Sequence, residues 1–256
     1  MIRIAYVTVT YNAEALLKRT LDSVLCQDYP KISHFIIDGA STDGTMAIAD
    51  DYVKRSNEAN NGHRVQVTSE PDKGIYDAMN KGRLLIDGSY VCFLNAGDFL
   101  PAPDTVSKIV AQINEKELPA VLYGNTDIVD SEGRFLHHRR LSPPEHLTWK
   151  SFRQGMLVCH QAFYVRTDYA IATPYYMQYR YSADVDWCIR VMKAAARERV
   201  PLQNLHMLVV NYTEEGQTTL HHRESLWERY RVMERHYGRV QTFLLHCWFV
   251  IRAVIN

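Results

Sequence analysis

The sequence predicts an α/β protein: a mostly parallel β-sheet flanked by helices, followed by a helical C-terminal extension. Short β-branched runs alternate with segments of helical periodicity through the first part of the chain. This order is typical of parallel sheets, because each crossover between parallel strands passes through a helix. The composition then changes to helical segments rich in arginine, histidine and aromatic residues. We therefore expect a sheet domain over residues 1–213 and a helical extension over residues 214–256.

Each element is predicted from its own hydrophobic pattern. Apolar, β-branched runs predict strands at residues 2–9, 34–38, 64–70 and 89–95. Apolar residues at helical spacing predict helices at residues 13–27, 45–55, 76–86 and 105–116. Asn12 is expected to cap the first helix, and Ser41 or Asp43 the second, because short polar side chains accept hydrogen bonds from free N–H groups at a helix start. Residues 120–130 and 133–141 are expected to pair as a hairpin.

Composition and charge exclude several classes of protein. The 256 residues are 46% hydrophobic and 23% charged, which suits one globular domain with an appendage. The formal net charge is zero and the pI is about 7.2, so a general nucleic-acid binder is not expected. Five widely spaced cysteines indicate free, buried thiols in a reducing compartment. Neither a signal peptide nor an apolar run of roughly 18 residues is found, which predicts a cytoplasmic protein.

Polar clusters follow four of the predicted strands. The carboxyl ends of parallel strands share one edge of a sheet, and open α/β sheets bind their ligands there. The clusters are Thr10-Tyr11-Asn12, Asp38-Gly39, Glu70-Pro71-Asp72 and Asn95-Ala96-Gly97-Asp98. A dinucleotide-binding oxidoreductase is not expected, because the turn after the first strand lacks the glycines that let a pyrophosphate approach the backbone.

Six motifs occur in a recognisable order. They are VTVTYN (7–12), IIDGASTDGT (36–45), SEPDKGIYDAMNKG (69–82), FLNAGD (93–98), CHQAFYVR (159–166) and YSADVDW (181–187). Together they resemble family-2 glycosyltransferases of the GT-A fold, especially bacterial enzymes that build surface polysaccharides. The resemblance covers residues 2–190 and implies a GT-A, Rossmann-like sheet. It also implies transfer of a sugar from a nucleotide-sugar, expected to be a UDP-sugar, to a glycan or lipid-linked acceptor.

The resemblance assigns most of the strand-end residues to the nucleotide-sugar. Asp38 would accept a hydrogen bond from the nucleotide base, since a carboxylate suits a uracil N–H, and its structural alternative is a turn aspartate before Gly39. Tyr11 would stack on the base, or else pack beside an ordinary helix cap. The full set assigned to the donor is Thr10, Tyr11, Asn12, Asp38, Asp72, Lys73, Gly74, Asp77, Asn80, Asn95 and Ala96.

The resemblance also implies a divalent metal, Mn²⁺ or Mg²⁺, on the diphosphate of the donor. Asp98 would be the acid that remains of the family's aspartate-rich metal motif. The sequence departs from that motif, because Asn95 stands where an aspartate is common and Gly97 removes another acid. Weaker metal binding by the protein is therefore expected, with the metal held largely by the oxygens of the diphosphate. A histidine late in the chain would complete the metal site, and His221 and His222 are the candidates, with His222 preferred.

Asp184 would be the catalytic base of an inverting transfer, taking a proton from the acceptor hydroxyl. A helix N-cap is its structural alternative. Asp186 would contact the acceptor or support the structure. His160 and Gln161 resemble an acceptor-side loop, although a buried polar pair is an equal alternative.

The C-terminal extension mixes arginines with aromatic residues, which suits a helix at a membrane interface or a helix packed on the core. The expected partners are a nucleotide-sugar and a glycan or lipid-linked acceptor, with peripheral contact to the inner face of the cytoplasmic membrane and no nucleic acid. The alternative function is a non-catalytic nucleotide-sugar-binding subunit of a polysaccharide-synthesis complex, because the acids are missing at Asn95 and Gly97. The pattern does not predict which sugar or acceptor is used.

Overall fold

A computed structural model of the chain describes residues 1–214 and 222–255, with the side chains of residues 223–248 in the second range. Eight strands form one mixed sheet. The strands are β1 Ile4–Thr10, β2 Ile32–Asp38, β3 Arg64–Ser69, β4 Tyr90–Phe93, β5 Val121–Val129, β6 Phe135–His138, β7 Phe163–Arg166 and β8 Leu202–Thr213. The helices are α1 Glu14–Leu25, α2 Thr45–Ala59, α3 Ile75–Arg83, α4 Thr105–Ala111, α5 Thr167–Ala172, α6 Ala183–Glu198, α7 His222–Tyr237 and α8 Arg239–Ile255.

The sheet is parallel at one end and mixed at the other. Four parallel strands lie side by side in the order β3-β2-β1-β4. Strand β7 then pairs antiparallel with β4, and β5 pairs with β7, β6 and β8. The register aligns Thr10 with Asp38 and Asp38 with Ser69, so the last residues of β1, β2 and β3 form a row. This row is the edge at which the sequence predicts the ligand site.

Helices cover both faces of the parallel strands. Helices α1 and α2 pack on one face through Leu17, Leu21 and Tyr52, which form a cluster with Ile36 of β2. Successive side chains of a strand alternate between faces, and the neighbour of Ile36 in β2, Ile37, belongs to the larger core cluster. Helix α3 contacts β1 and β2. The apolar patterns of the first helices and strands are therefore satisfied by burial.

The structure confirms the α/β class, the four parallel strands and the predicted hairpin, which is β5–β6. The predicted N-cap role of Asn12 is wrong: Ala13 precedes α1, and Asn12 has a left-handed φ of 46° because its side chain is used in another loop. Strands β7 and β8 were not predicted, and α4 ends earlier than expected, at Ala111. All five cysteines are free, as expected, but Cys26 and Cys247 are exposed.

The C-terminal helices pack on the sheet domain. Val232, Met233 and Tyr237 of α7 are buried, and α7 contacts α6. The boundary at residue 213 stays a prediction. Over residues 1–214 and 222–255, no helix combines the length and apolarity needed to span a membrane.

Gly82 allows α3 to approach the sheet closely. A Cβ atom at this position would lie 2.5 Å from Cγ1 of Val7 and 3.1 Å from Cγ1 of Ile37. Alanine in place of glycine inside a helix normally stabilises a protein by about 1 kcal/mol. Here we expect Gly82→Ala to lower the free energy of unfolding by about 1–3 kcal/mol, because the added methyl overpacks the core. Urea denaturation checks the sign, and a more stable variant would contradict the close packing.

Candidate active site

A buried carboxylate joins the ends of the parallel strands. Asp38, the last residue of β2, is 0% exposed. Its Oδ2 accepts hydrogen bonds from the backbone N–H of Ser41 at 2.9 Å and from the hydroxyl of Ser69 at 2.6 Å. Its Oδ1 accepts a hydrogen bond from the Ser41 hydroxyl at 2.5 Å. Three donors thus satisfy a charge that would otherwise be costly to bury, and the base-reading role of Asp38 stays a prediction.

Asn12 links the loop after β1 to the loop after β2. Its backbone N–H donates to the Ser41 hydroxyl at 2.8 Å, and its side-chain oxygen accepts from the Thr42 N–H at 2.9 Å. The two helix starts also cap each other across these loops. Thr45 accepts a hydrogen bond from the N–H of Ala13, while the Glu14 carboxylate accepts one from the N–H of Gly44. The loops after β1 and β2 therefore form one interlocked unit.

Tyr11, Gly39 and Asp72 come together at the surface of this unit. Tyr11 is 64% exposed. A Cβ atom on Gly39 would lie 2.5 Å from Oδ2 of Asp72 and 3.3 Å from Cδ2 of Tyr11. The missing side chain of Gly39 thus leaves room for a carboxylate beside an exposed aromatic ring. An aromatic face next to acceptor oxygens matches the needs of a nucleoside.

The segment between β3 and α3 contains three of the residues predicted to bind the donor, and α3 itself contains two more, Asp77 and Asn80. Gly74 has a φ of 109°, with open space where a Cβ would lie, and its N–H donates to Oδ1 of Asp72. The N–H of Lys73 donates to Oδ2 of Asp77 at 3.0 Å. Asn80 pairs with the backbone of Tyr175 through both its amide nitrogen and its amide oxygen. Asn80 therefore joins α3 to the segment before α6.

The turn after β4 contains the predicted metal residue. The Asp98 N–H donates to the Asn95 carbonyl, and Gly97 has a φ of 103°. Oδ1 of Asp98 accepts from the Thr213 N–H and Oδ2 accepts from Gln161 Nε2, both at 2.9 Å. Burial raises the pKa of Asp98 to about 7, although both hydrogen bonds oppose this shift. Asp98 therefore ties the turn to the end of β8 and to the short helix His160–Ala162.

The described residues contain no group of three or more histidine, cysteine, aspartate or glutamate side chains that could hold a metal ion. Hard oxygen donors are still available at the β4 turn. Asn95 Oδ1 is buried without a hydrogen-bond partner, and Asp98 accepts two bonds, although a carboxylate has about four acceptor positions. These oxygens fit Mg²⁺ or Mn²⁺ if a diphosphate supplies further ligands. His222 begins α7, but its side chain and all of His221 lie outside the described residues.

Asp184 lies in the first turn of α6 and is partly exposed. Its Oδ1 accepts hydrogen bonds from the Tyr76 hydroxyl at 3.2 Å and from the Val185 N–H at 2.9 Å. Oδ2 accepts no hydrogen bond in the described part of the chain. Asp184 and Asp98 both raise the pKa of the Tyr212 phenol, where burial is the largest cause, so each of the two carboxylates lies within electrostatic range of Tyr212.

Stacked aromatic rings lie beneath Asp184. The Tyr76 ring stacks on Tyr175 at 5.8 Å between centroids, and Tyr175 stacks on Trp187 at 4.9 Å. His160 is buried, lies 2.8 Å from the Tyr175 hydroxyl through Nε2, and stacks on Phe93. Burial lowers the pKa of His160 to about 4, so its ring is neutral near pH 7. His160 is thus part of the core, and the same holds for the buried Gln161.

Helix α7 fixes the start of α6 from outside. Asp186 is 0% exposed, and its two oxygens contact Arg190 at 2.6 Å and His236 of α7 at 2.8 Å. The Glu228 carboxylate, also on α7, accepts hydrogen bonds from the N–H groups of residues 180–182. The structure therefore joins Asp186 to supporting residues, and its acceptor-side role stays a prediction.

Sequence patterns did not single out several residues of this site. Tyr76, Ser41, Ser69 and Thr213 contact predicted site residues, and Glu228 contacts the segment that leads into Asp184. Of these, Ser41 has a signal in the sequence as a possible cap of the second helix, and Ser69 lies near the end of the predicted strand 64–70. The contacts of Thr213 and Glu228 join residues more than forty positions apart in the sequence, which no local pattern records.

Comparison with known proteins identifies the family. Glycosyl transferase family 2 matches residues 6–172. A PGL/p-HBAD biosynthesis glycosyltransferase of Mycobacterium bovis is 33% identical over 208 residues, which are 81% of this chain and 75% of that protein. A Mycobacterium tuberculosis protein of the same name matches equally.

Solved structures support the same fold. S. aureus TarS in complex with UDP-GlcNAc has a TM-score of 0.71 at 18% identity, covering 91% of this chain and 65% of that chain. Mannosyltransferase PcManGT from Pyrobaculum calidifontis, in complex with GDP-Man and Mn²⁺, has a TM-score of 0.62 at 17% identity, covering 91% of this chain and 64% of that one. The present chain thus spans less than two thirds of either. From the family match and the fold, the chain belongs to glycosyl transferase family 2 and is a glycosyltransferase of the GT-A fold.

Proposed function

We propose that this glycosyltransferase transfers a sugar from a UDP-sugar to a hydroxyl group of a glycan or lipid-linked oligosaccharide, with inversion at the anomeric carbon and Asp184 as the base. One observation carries the proposal. Asp184 has one oxygen held by Tyr76 and by the first turn of α6, and the other oxygen accepts no bond in the described residues. It is therefore an oriented, partly exposed proton acceptor.

The reaction needs only one carboxylate. Oδ2 of Asp184 takes the proton from the acceptor hydroxyl, whose oxygen forms the new bond to the anomeric carbon. The bond from that carbon to the diphosphate breaks, and its electron pair leaves on the diphosphate oxygen. No acid is required, because the leaving group departs as an anion. Tyr76 keeps Oδ1 engaged throughout, so the free oxygen stays directed towards the acceptor.

The donor would bind along the row of strand ends. We propose that the nucleobase of the donor lies against Tyr11 and the carboxylate of Asp72, above Gly39. The interlocked loops after β1 and β2 would hold this nucleobase pocket open. TarS has been solved with UDP and with UDP-GlcNAc, which favours a uridine nucleotide.

The diphosphate would reach the turn after β4. We propose that Asn95 and Asp98 contribute oxygen ligands to Mg²⁺ or Mn²⁺ there, and PcManGT was solved with Mn²⁺ beside its donor. Such an ion, when bound, neutralises the charge of the leaving diphosphate. The chain's own contribution is to hold these two oxygens at a fixed separation, because Thr213 and Gln161 anchor Asp98.

Asp184→Asn tests the proposed base. We expect kcat to fall about 10²–10⁴-fold, because the amide cannot accept the proton. The affinity for UDP, measured by calorimetry, should stay unchanged, since Asp184 does not belong to the proposed nucleobase pocket. Asp104→Asn is the matched control: Asp104 is a partly buried aspartate at the start of α4, paired with Lys108. Transfer at the normal rate by Asp184→Asn would remove Asp184 as the base.

Gly39→Ala tests the proposed nucleotide pocket. The methyl group would collide with Asp72 and press on Tyr11, so we expect the affinity for UDP to fall about tenfold, equivalent to ~1.4 kcal/mol. In the Asp72→Ala background the same substitution should cost less, because the colliding oxygens are gone. Titration calorimetry on the four proteins gives the coupling. Additive losses would show that Gly39 and Asp72 act separately.

Asp98→Asn tests the proposed metal ligand. We expect the gain in UDP affinity that Mn²⁺ provides to fall about tenfold, or ~1.4 kcal/mol. Binding of UDP in the presence of a chelator is the internal control, and it should be equal in both proteins because the nucleotide pocket is untouched. If Mn²⁺ strengthens UDP binding by the same factor in the variant, Asp98 does not hold the ion.

A further inference from the structure

Helix α8 carries an apolar stripe that faces solvent. Val240, Phe243, Leu244 and Trp248 have the helical spacing i, i+3, i+4 and i+8 and are 76%, 60%, 62% and 57% exposed. Among the α8 residues whose side chains are described, 239–248, the one that is buried is the polar Thr242. A surface helix of a globular protein normally turns its apolar stripe inward. In α8 the arrangement is reversed, which indicates that something outside the described chain covers the stripe.

Helix α7 adds exposed apolar residues. Leu226 and Trp227 are exposed, and the Trp227 ring lies 6.1 Å from Tyr230. Tyr230 in turn contacts His246 of α8 at 4.8 Å between ring centroids. The two helices are therefore joined by aromatic contacts. We call the surface formed by Leu226, Trp227, Val240, Phe243, Leu244 and Trp248 the C-terminal apolar face.

A cluster of cations lies beside the junction of α7 and α8. Trp149 stacks on Tyr237, the last residue of α7, at 5.8 Å. Three cationic groups approach the Trp149 ring: Lys193 at 4.7 Å, Lys150 at 5.6 Å and Arg153 at 5.8 Å. Within the described residues, none of the three forms an ion pair with a carboxylate. Among these residues their positive charge is therefore not neutralised by a direct ion pair, although Asp186 acts on Lys193 from a distance and opposes the lowering of its pKa by burial.

The C-terminal helices also carry a net positive charge. Residues 222–256 contain six arginines and three glutamates, in a chain whose formal net charge is zero. The sequence contains no acidic residue after Glu234. A second copy of this positive surface would be repelled, whereas an anionic surface would be attracted. Exposed tryptophans beside cationic side chains are also typical of proteins that bind at the lipid–water interface.

We propose that the C-terminal apolar face docks on an anionic phospholipid bilayer, with the cation cluster at Trp149 contacting the headgroup phosphates. In this arrangement α8 lies in the plane of the interface, with its apolar stripe against the acyl chains. The contact extends to the catalytic side of the molecule, because Glu228 and His236 of α7 fix the start of α6. Docking therefore sets the orientation of the site relative to the lipid surface. The proposal does not rest on the donor or the acceptor proposed above.

Vesicle sedimentation with the full chain tests the docking. We expect binding to vesicles of phosphatidylcholine mixed with phosphatidylglycerol, weak binding to phosphatidylcholine alone, and release at high salt, because headgroup attraction is screened. The double substitution Phe243→Ser with Leu244→Ser should lower the partition coefficient about tenfold or more, since two large side chains no longer enter the bilayer. Lys150→Glu should weaken binding only to the anionic vesicles.

The matched control is Phe135→Ser with Leu136→Ser, which removes an exposed Phe–Leu pair that lies on β6 and does not belong to the C-terminal apolar face. It should bind vesicles as the unchanged protein does. UDP affinity and melting temperature, measured for both double variants, confirm that each is folded, so a failure of vesicle binding is distinguishable from a failure of the proposed function. An absence of vesicle binding would overturn the proposal. So would an equal loss in the control, or a dimer in sedimentation velocity that the Phe243 and Leu244 substitutions abolish.

Discussion

The buried Asp38 carboxylate is the interaction on which the donor side of the molecule depends. It lies at the end of the central parallel strands, and its three donors come from the loop after β2 and from the end of β3. The Ser41 hydroxyl also accepts a hydrogen bond from the backbone N–H of Asn12. Loss of one of these donors would leave part of the buried Asp38 carboxylate without a partner, which costs about 1–3 kcal/mol. The network therefore forms as a whole, and the exposed Tyr11 and the space above Gly39 follow from it.

Helix α3 connects the donor side to the proposed base. Its first turn follows a loop in which the Gly74 N–H donates to Asp72 and the Lys73 N–H donates to Asp77 of the helix. Its second residue, Tyr76, donates to Asp184. Asn80, one turn later, holds the backbone of Tyr175, whose ring lies between Tyr76 and Trp187. A displacement of α3 would thus move both ends of the site together. This explains why a polar, glycine-containing segment leads into a helix that is otherwise packed on the core.

The sequence was sufficient to predict the strands and the edge at which their polar residues gather, because both follow from local periodicity and from the geometry of parallel sheets. It was not sufficient to separate exposed side chains from buried ones. Asp184 and Asp186 differ by two positions, yet one is partly exposed and the other is enclosed by Arg190 and His236. His236 lies fifty residues away, so the distinction depends on a tertiary contact that no short motif contains. The same reason accounts for Asn12, which binds the neighbouring loop and does not cap the helix that follows it.

The amide at position 95 changes the electrostatics of the turn after β4. Asp98 alone already has its pKa raised to about 7 by burial, with hydrogen bonds from Thr213 and Gln161 working against that shift. A second carboxylate at position 95 would add like charge to the same poorly solvated turn, and one of the two would then be protonated or would require a cation to stay ionised. Asn95 presents a buried oxygen without that charge. The turn can therefore fold around Asp98 in the absence of an ion, and a metal that arrives with the diphosphate would find the oxygens already in position.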